Sequence, residues 1–343
     1  MVCAGPSELA GRGDVERGRP LLRMQRNAIL DSLKILLALM VVGLHGRFLS
    51  DIDVHVGYFL ENYLFRMAVP IFFMINGYYF ASIVDRRSAV ITWLGKVSVF
   101  YLTWSLVYSG FFWPTEPGLL PAARSLAFTL LIGYAHLWYL PATFLAALCI
   151  LPLKNAKTVV LAALLATAYA FGLLLQYSGN YHWFPDTRLD VVANEIPTYR
   201  NFAFFGFPMF GMGYLAAKKR LPSEMSLYWK LCLLSLGGLL LAAEYSMNVA
   251  LGLPIGEGFD LLVSLPVVCL AIFVLAASGR TISQSATLGE ISTVIYFIHP
   301  LFLLLLPGLG LQAATPLTLA AVVLSLLSSP LVIAANKRWR IFL

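Results

Sequence analysis

The chain has 343 residues, 59% of them hydrophobic and 12% charged, with a formal net charge of +7. A soluble domain of this size carries about twice that charge density, and the apolar runs are too many and too long for water-soluble cores. This composition excludes a pair of soluble domains. The excess of positive charge is not a nucleic-acid footprint either, because the basic residues sit in short clusters between apolar runs.

Residues 1–26 open with "MVCAGPSELAGRGDVERGRP", which is polar and lacks the apolar run of a secretory signal. They read as a polar cytoplasmic tail, or in part as a start placed too early. Residues 27–343 then form a single membrane domain. Ten apolar segments follow, at 29–49, 64–83, 91–112, 136–152, 158–176, 201–217, 228–247, 261–277, 291–309 and 314–335. Most are long enough for a hydrocarbon core of ~30 Å. The fourth is short and contains Pro141, so it needs neighbours to satisfy a freed carbonyl, or else it is partly re-entrant. The expected fold is an all-α polytopic membrane protein, a bundle of about ten transmembrane helices with both termini cytoplasmic.

Charge supports that orientation. With the N-terminus inside, the inner connections hold Arg23, Arg26, Arg86, Arg87, Lys154, Lys157, Lys218, Lys219, Arg220, Arg280, Lys337, Arg338 and Arg340. The outer ones hold little beyond Arg47, Arg124 and Arg188, as the positive-inside rule requires. The outer connections at 112–135, 177–200 and 248–260 are also long. The second, "YSGNYHWFPDTRLDVVANEIPTYR", mixes aromatics with three acids, two arginines and His182. It suits a polar extracytoplasmic ligand such as a sugar, or an interfacial aromatic belt. Cys3, Cys149, Cys232 and Cys269 lack CxxC spacing, which disfavours a zinc site or a disulfide framework.

Several spans carry polar groups. In "ILDSLKILLALMVVGLHGRFL", Lys34 and His45 are eleven residues apart, which places them within about 20° of one helix face and ~16 Å apart along the axis. Asp31 lies one turn before Lys34. Such a stripe is costly in lipid and should face the bundle interior. The second span, "RMAVPIFFMINGYYF", brings Arg66 near the outer end, Pro70 below it and Asn76 deeper. Arg66 also reads as an interface anchor and Asn76 as a packing contact. His136 and Trp138 open the fourth span, while Ser292, Tyr296 and His299 share one face of the ninth. Each histidine alone suits a structural role, but together they converge on one apolar bundle.

These segments make the chain similar to the integral-membrane acyltransferase family 3, which includes bacterial O-acetyltransferases of cell-surface polysaccharides. The resemblance runs over about 25–335. It rests on Lys34 and His45 after "LDSLK", on the VPxFFxxSGY-like stretch in "RMAVPIFFMINGYYF", on "HLWYLPA" and on "LGEISTVIYFIHPLFL", in that order. Asn76 stands where relatives usually have serine, and Arg86-Arg87 follows the second span without a longer arginine-rich segment.

The resemblance implies transfer of an acyl group, commonly acetyl, from cytoplasmic acyl-CoA to a hydroxyl on or across the bacterial inner (plasma) membrane. It implies His45 as general base, with Arg66 and His136 orienting the acceptor or stabilising developing charge. Asp31, Lys34, Asn76, Arg86, Arg87, Trp138, Ser292, Tyr296 and His299 are expected to contact donor or acceptor. No metal and no permanently bound cofactor are expected; acetyl-CoA or another acyl-CoA is the donor substrate. The expected partners are a glycan or lipid-linked oligosaccharide of exopolysaccharide synthesis, membrane lipid and polysaccharide-assembly enzymes. No GxSxG elbow or serine triad is present, which favours direct transfer while leaving an acyl-histidine intermediate open. The rival functions are a secondary transporter, a non-enzymatic membrane sensor, and a transferase of another acyl group or with another acceptor such as a lipid or smaller glycan.

Overall fold

The computed structural model describes residues 27–115, 117–252, 258–279 and 287–343. The expected tail 1–26, with Arg23, Arg26 and Cys3, and Arg280, expected in an inner connection, lie outside the described residues. Regular structure among the described residues is helical: α1 (Ala28–His45), α2 (Val54–Phe80), α3 (Arg87–Phe112), α4 (Leu119–Ile132), α5 (Ala135–Leu153), α6 (Thr158–Asn180), α7 (Arg188–Asn194), α8 (Phe207–Lys218), α9 (Leu227–Ala250), α10 (Leu265–Ala277), α11 (Thr287–Leu309) and α12 (Ala314–Trp339). Each of the ten expected segments contains one of these helices. Eight are long and apolar enough to cross a membrane; α8 and α10 are shorter.

Local chemistry explains the helix ends. The Asn27 side chain caps α1 by accepting from the Ile29 amide at 2.9 Å, and its own amide donates to Ala276 O (3.0 Å) and Gly279 O (2.9 Å). Pro141 falls in the first turn of the α-helical part of α5, where a missing N–H costs little. The fourth segment is accordingly a continuous helix rather than a re-entrant one. In α2, Pro70 removes the donor that Arg66 O would have accepted from. Irregularity gathers just before it, as a π turn at Leu60–Leu64 and a 3-10 turn at Phe65–Met67.

Hydrogen bonds between helix ends sort the bundle into two faces. On one, Lys154 Nζ meets Asp85 at 3.0 Å, Lys218 Nζ donates to Lys154 O at 2.8 Å, and Lys230 Nζ donates to Ser278 Oγ at 2.6 Å. On the other, Tyr181 Oη donates to Asn248 at 2.6 Å, and Thr315 Oγ1 accepts from the Leu49 amide at 3.0 Å while donating to Asp51. That last hydrogen bond holds the Asp51 carboxyl below the usual carboxylate range. These contacts match helices that alternate in direction, with the basic loops on one face. Backbones touch where α2 meets α8: a Cβ on Gly77 would lie 1.9 Å from Phe210 O, and one on Gly213 1.9 Å from Met74 O.

Two regions depart from the sequence reading. The 112–135 connection contains α4, an apolar helix without a buried residue that rests on α3 through Tyr101 Oη and Leu130 O (2.6 Å). The eighth segment is helical only from Leu265. Residues 258–264 run into it as a non-helical strap whose backbone is satisfied by side chains. Gln176 accepts from the Asp260 and Leu261 amides (2.8 and 3.0 Å) and donates to Leu261 O (2.7 Å). Tyr169 holds Leu262 O at 2.7 Å, Glu244 accepts from the Val263 amide at 2.7 Å, and Asn62 accepts from the Phe259 amide at 3.2 Å. Non-helical backbone survives within a bundle only under such complete protein cover.

Candidate active site

Three helices deliver three imidazoles to one place. His45, the last residue of α1, stacks on His299 of α11 with ring centroids 5.5 Å apart and planes 26° apart. His136, in the first turn of α5, lies 5.7 Å from His299 and 5.9 Å from Tyr296. His299 and His136 are buried, whereas His45 keeps exposed surface at the end of its helix. His299 donates from Nδ1 to Ile295 O at 3.0 Å; a carbonyl only accepts, so this nitrogen carries the proton. Its Nε2 and both His136 nitrogens are buried without a hydrogen-bond partner. His136 packs beside Phe297, whose carbonyl accepts from Tyr108 Oη at 2.7 Å. Such groups are costly in an apolar interior and point to a site that is completed by something further.

Charge surrounds this cluster in a paired form. Arg66 is ion-paired with Asp260 of the strap, and Arg200 Nη1 reaches the same carboxylate oxygen at 3.3 Å. The charges of Arg200, Arg66 and Asp260 all act on His45. The Arg200 guanidinium also sits over the Trp138 ring, 5.4 Å from its centroid. Trp138 and Arg200 line a cavity of about 820 Å³ at this end of the bundle, together with His182, Asp190, Asn194 and Glu195.

The opposite face has a cavity of about 1030 Å³ whose cations are Lys154, Lys218, Arg220 and Lys230. Between the two cavities lies an aromatic layer: Phe73 packs on Tyr139 at 4.6 Å, and Tyr296 packs on Phe72 and Tyr139, each at 5.7 Å. Asn76, buried, donates to Tyr139 Oη on the basic side of this layer.

The expected site residues therefore separate. His45, Arg66, His136, Trp138, Tyr296 and His299 come together at the end of the bundle away from the basic loops. Lys34 does not open onto the basic cavity: it is 2% exposed and ion-paired with Asp31 at 2.8 Å, and Ser292 Oγ donates to its carbonyl at 2.8 Å. Its ammonium is enclosed between helices, so the expected donor contact of Lys34 is not made at the surface of that cavity. Arg86 and Arg87 are exposed at the start of α3 and are absent from the residues lining that cavity. Arg200 and Asp260 were not anticipated as site residues. The signal for Arg200 was its place in the charged outer connection; that for Asp260 was an isolated acid at the mouth of an apolar run.

Among curated proteins, the chain is similar to a serine/alanine racemase of Enterococcus gallinarum, 28% identical over 298 residues, which is 80% of this chain and 40% of that protein. It is also similar to an amino-acid racemase of Enterococcus faecalis, 26% identical over 185 residues, 50% of this chain and 25% of the relative. The chain thus matches less than half the length of either. No solved structure matches it. A family model described as "Acyltransferase domain" matches residues 27–335, so this multi-pass helical chain belongs to acyltransferase family 3.

Proposed function

We propose that the chain is an O-acyltransferase that moves acetyl from acetyl-CoA to a sugar hydroxyl of an exopolysaccharide or its lipid-linked repeat unit, across the bacterial inner membrane. The observation that carries this reading is the His45 imidazole, stacked on buried His299 and close to the charges of the Arg66–Asp260–Arg200 group. His45 takes the proton of the acceptor hydroxyl as its oxygen bonds to the acyl carbon. The thioester carbon–sulfur bond breaks, and coenzyme A departs as a thiolate that is then protonated. Arg66, Arg200 and His136 supply positive potential and hydrogen-bond capacity where the carbonyl oxygen becomes negative. Lys154, Lys218 and Arg220 suit the donor's phosphates. Polysaccharide-assembly enzymes are the expected source of the acceptor. The racemase activity named for the relatives is not carried over, since the matched region is less than half of each.

The test is transfer of labelled acetyl from acetyl-CoA by protein reconstituted in vesicles. His45→Gln keeps polarity but cannot serve as the base, and should lower the rate about 10²–10⁴-fold with normal abundance and donor binding. A near wild-type rate for His45→Gln between pH 6 and 9 would move the chemistry to His136 or His299. Solute flux along a gradient without acyl transfer would instead identify a transporter.

A further inference from the structure

The connection between α3 and α5 carries an apolar helix at membrane depth. Tyr101, whose hydroxyl donates to Leu130 O at 2.6 Å, lies eleven residues before the end of α3, ~16 Å along its axis. Tyr134, just past α4, packs on Phe112 at 5.2 Å. The C-terminal half of α4 therefore runs beside the last turns of α3, a helix long and apolar enough to cross a membrane, rather than beyond its end.

The faces of α4 are inverted for a helix at a water surface. Its half-buried residues, Ala122, Ser125, Leu126, Thr129 and Ile132, share the side toward the bundle, and two of them are polar. The other side exposes Leu120 (81%), Phe128 (57%) and Leu131 (71%), with Arg124 as the helix's one charge. A helix facing water turns its apolar stripe inward, and apolar surface left outside marks a membrane or partner contact. Lipid is the occupant that fits. On α3, Leu102 and Leu106 are exposed at the same depth, so a lipid-facing surface already lies beside α4. The long stem of Arg124 can lie among acyl chains while its charge reaches the headgroups.

This helix is also a wall of the candidate site, one helix thick. Leu131 is exposed, whereas Ile132, Gly133 and Ala135 line the 820 Å³ cavity. Gly133 fixes that end: its φ is 96°, and a Cβ on it would lie 2.5 Å from the Trp138 backbone. The end of α4 is thereby tied to the turn that carries His136.

We propose that α4 docks on membrane lipid, its exposed face among acyl chains, and that lipid headgroups reach the cavity past its last turn. An acceptor borne on a lipid then meets the candidate site from within the membrane plane. That consequence rests on the acyltransferase reading, whereas the docking needs no turnover.

The test uses the full chain, freed of native cysteines, in phosphatidylcholine nanodiscs. Spin labels at Leu120→Cys, Phe128→Cys and Leu131→Cys should collide more often with oxygen, which partitions into acyl chains, than with water-soluble nickel ethylenediaminediacetate. A label at Trp183→Cys, exposed in the 177–200 connection, should show the reverse. An excess of nickel collisions on α4 makes it a water-facing helix, and few collisions with either makes it a protein contact such as a second copy; both overturn the proposal. The cavity is read by bimane at Ile132→Cys. A nitroxide on the phosphatidylcholine headgroup should quench it about twofold or more beyond the same nitroxide on free choline. Equal quenching, or the reverse order, overturns the approach past α4. The expected pattern without acetyl transfer from acetyl-CoA upholds the lipid contact and removes the transferase reading instead.

Discussion

The glycine after His45 is set by a neighbour rather than by its own backbone. Gly46 has an ordinary right-handed conformation, but a Cβ there would lie 2.1 Å from Thr318 Oγ1 of α12. Gly46→Ala should therefore push α12 away from the end of α1, cost about 1–3 kcal/mol, and reduce turnover by shifting the His45 ring off His299. Gly46→Ala combined with Thr318→Ala removes the colliding oxygen and should recover part of both losses; thermal unfolding and rate measured on the two variants check this. The convergence of His45, His136 and His299 was legible because each sits in a short motif at a helix end. The pairing of Asp260 with Arg66 and Arg200 was not, because it joins residues 194 and 60 positions apart. Lys34 shows a related limit. Its register with His45 is visible along one helix, but its enclosure depends on neighbouring helices, where α11 brings Ser292 to its backbone.

At the level of elements, hydropathy located all ten helical segments, since crossing lipid demands long apolar runs whatever the tertiary contacts. It could not separate strap from helix at 258–277, because Leu261, Leu262 and Val263 are as apolar as the helix they precede. The strap is held by side chains of α2, α6 and α9, and no local pattern reports them. Gln176→Leu should expose its importance. The change leaves the Asp260 and Leu261 amides and the Leu261 carbonyl unsatisfied in the interior, a loss of about 3 kcal/mol or more. Its readout is a lower unfolding temperature, with acyl transfer impaired even where the protein remains folded, because Asp260 loses its fixed position against the two arginines.

Across the whole molecule, the two cavities lie at opposite ends of the bundle with the aromatic layer of Phe72, Phe73, Tyr139 and Tyr296 between them. On the proposed reading, a donor entering among Lys154, Lys218 and Arg220 would project its acyl end through this layer to reach His45. The basic loops predict which end faces the cytoplasm. In a background free of native cysteines, a cysteine at position 188 should react with a membrane-impermeant thiol reagent applied outside. Cysteines at 155 and 219 should react only after permeabilisation. The reverse pattern would invert the protein and place the His45 end inside. Charge distribution makes this orientation a prediction of the sequence, whereas the aromatic layer between the cavities depends on packing that no single span reveals.

The strap also bears on how the chain is made. Its side-chain partners, Asn62, Tyr169, Gln176 and Glu244, all precede it in sequence. During synthesis from the N-terminus, they are available before residues 258–264 emerge. Residues 258–264 therefore emerge only after the side chains that satisfy their backbone, and biogenesis in the opposite order would strand their amides in lipid.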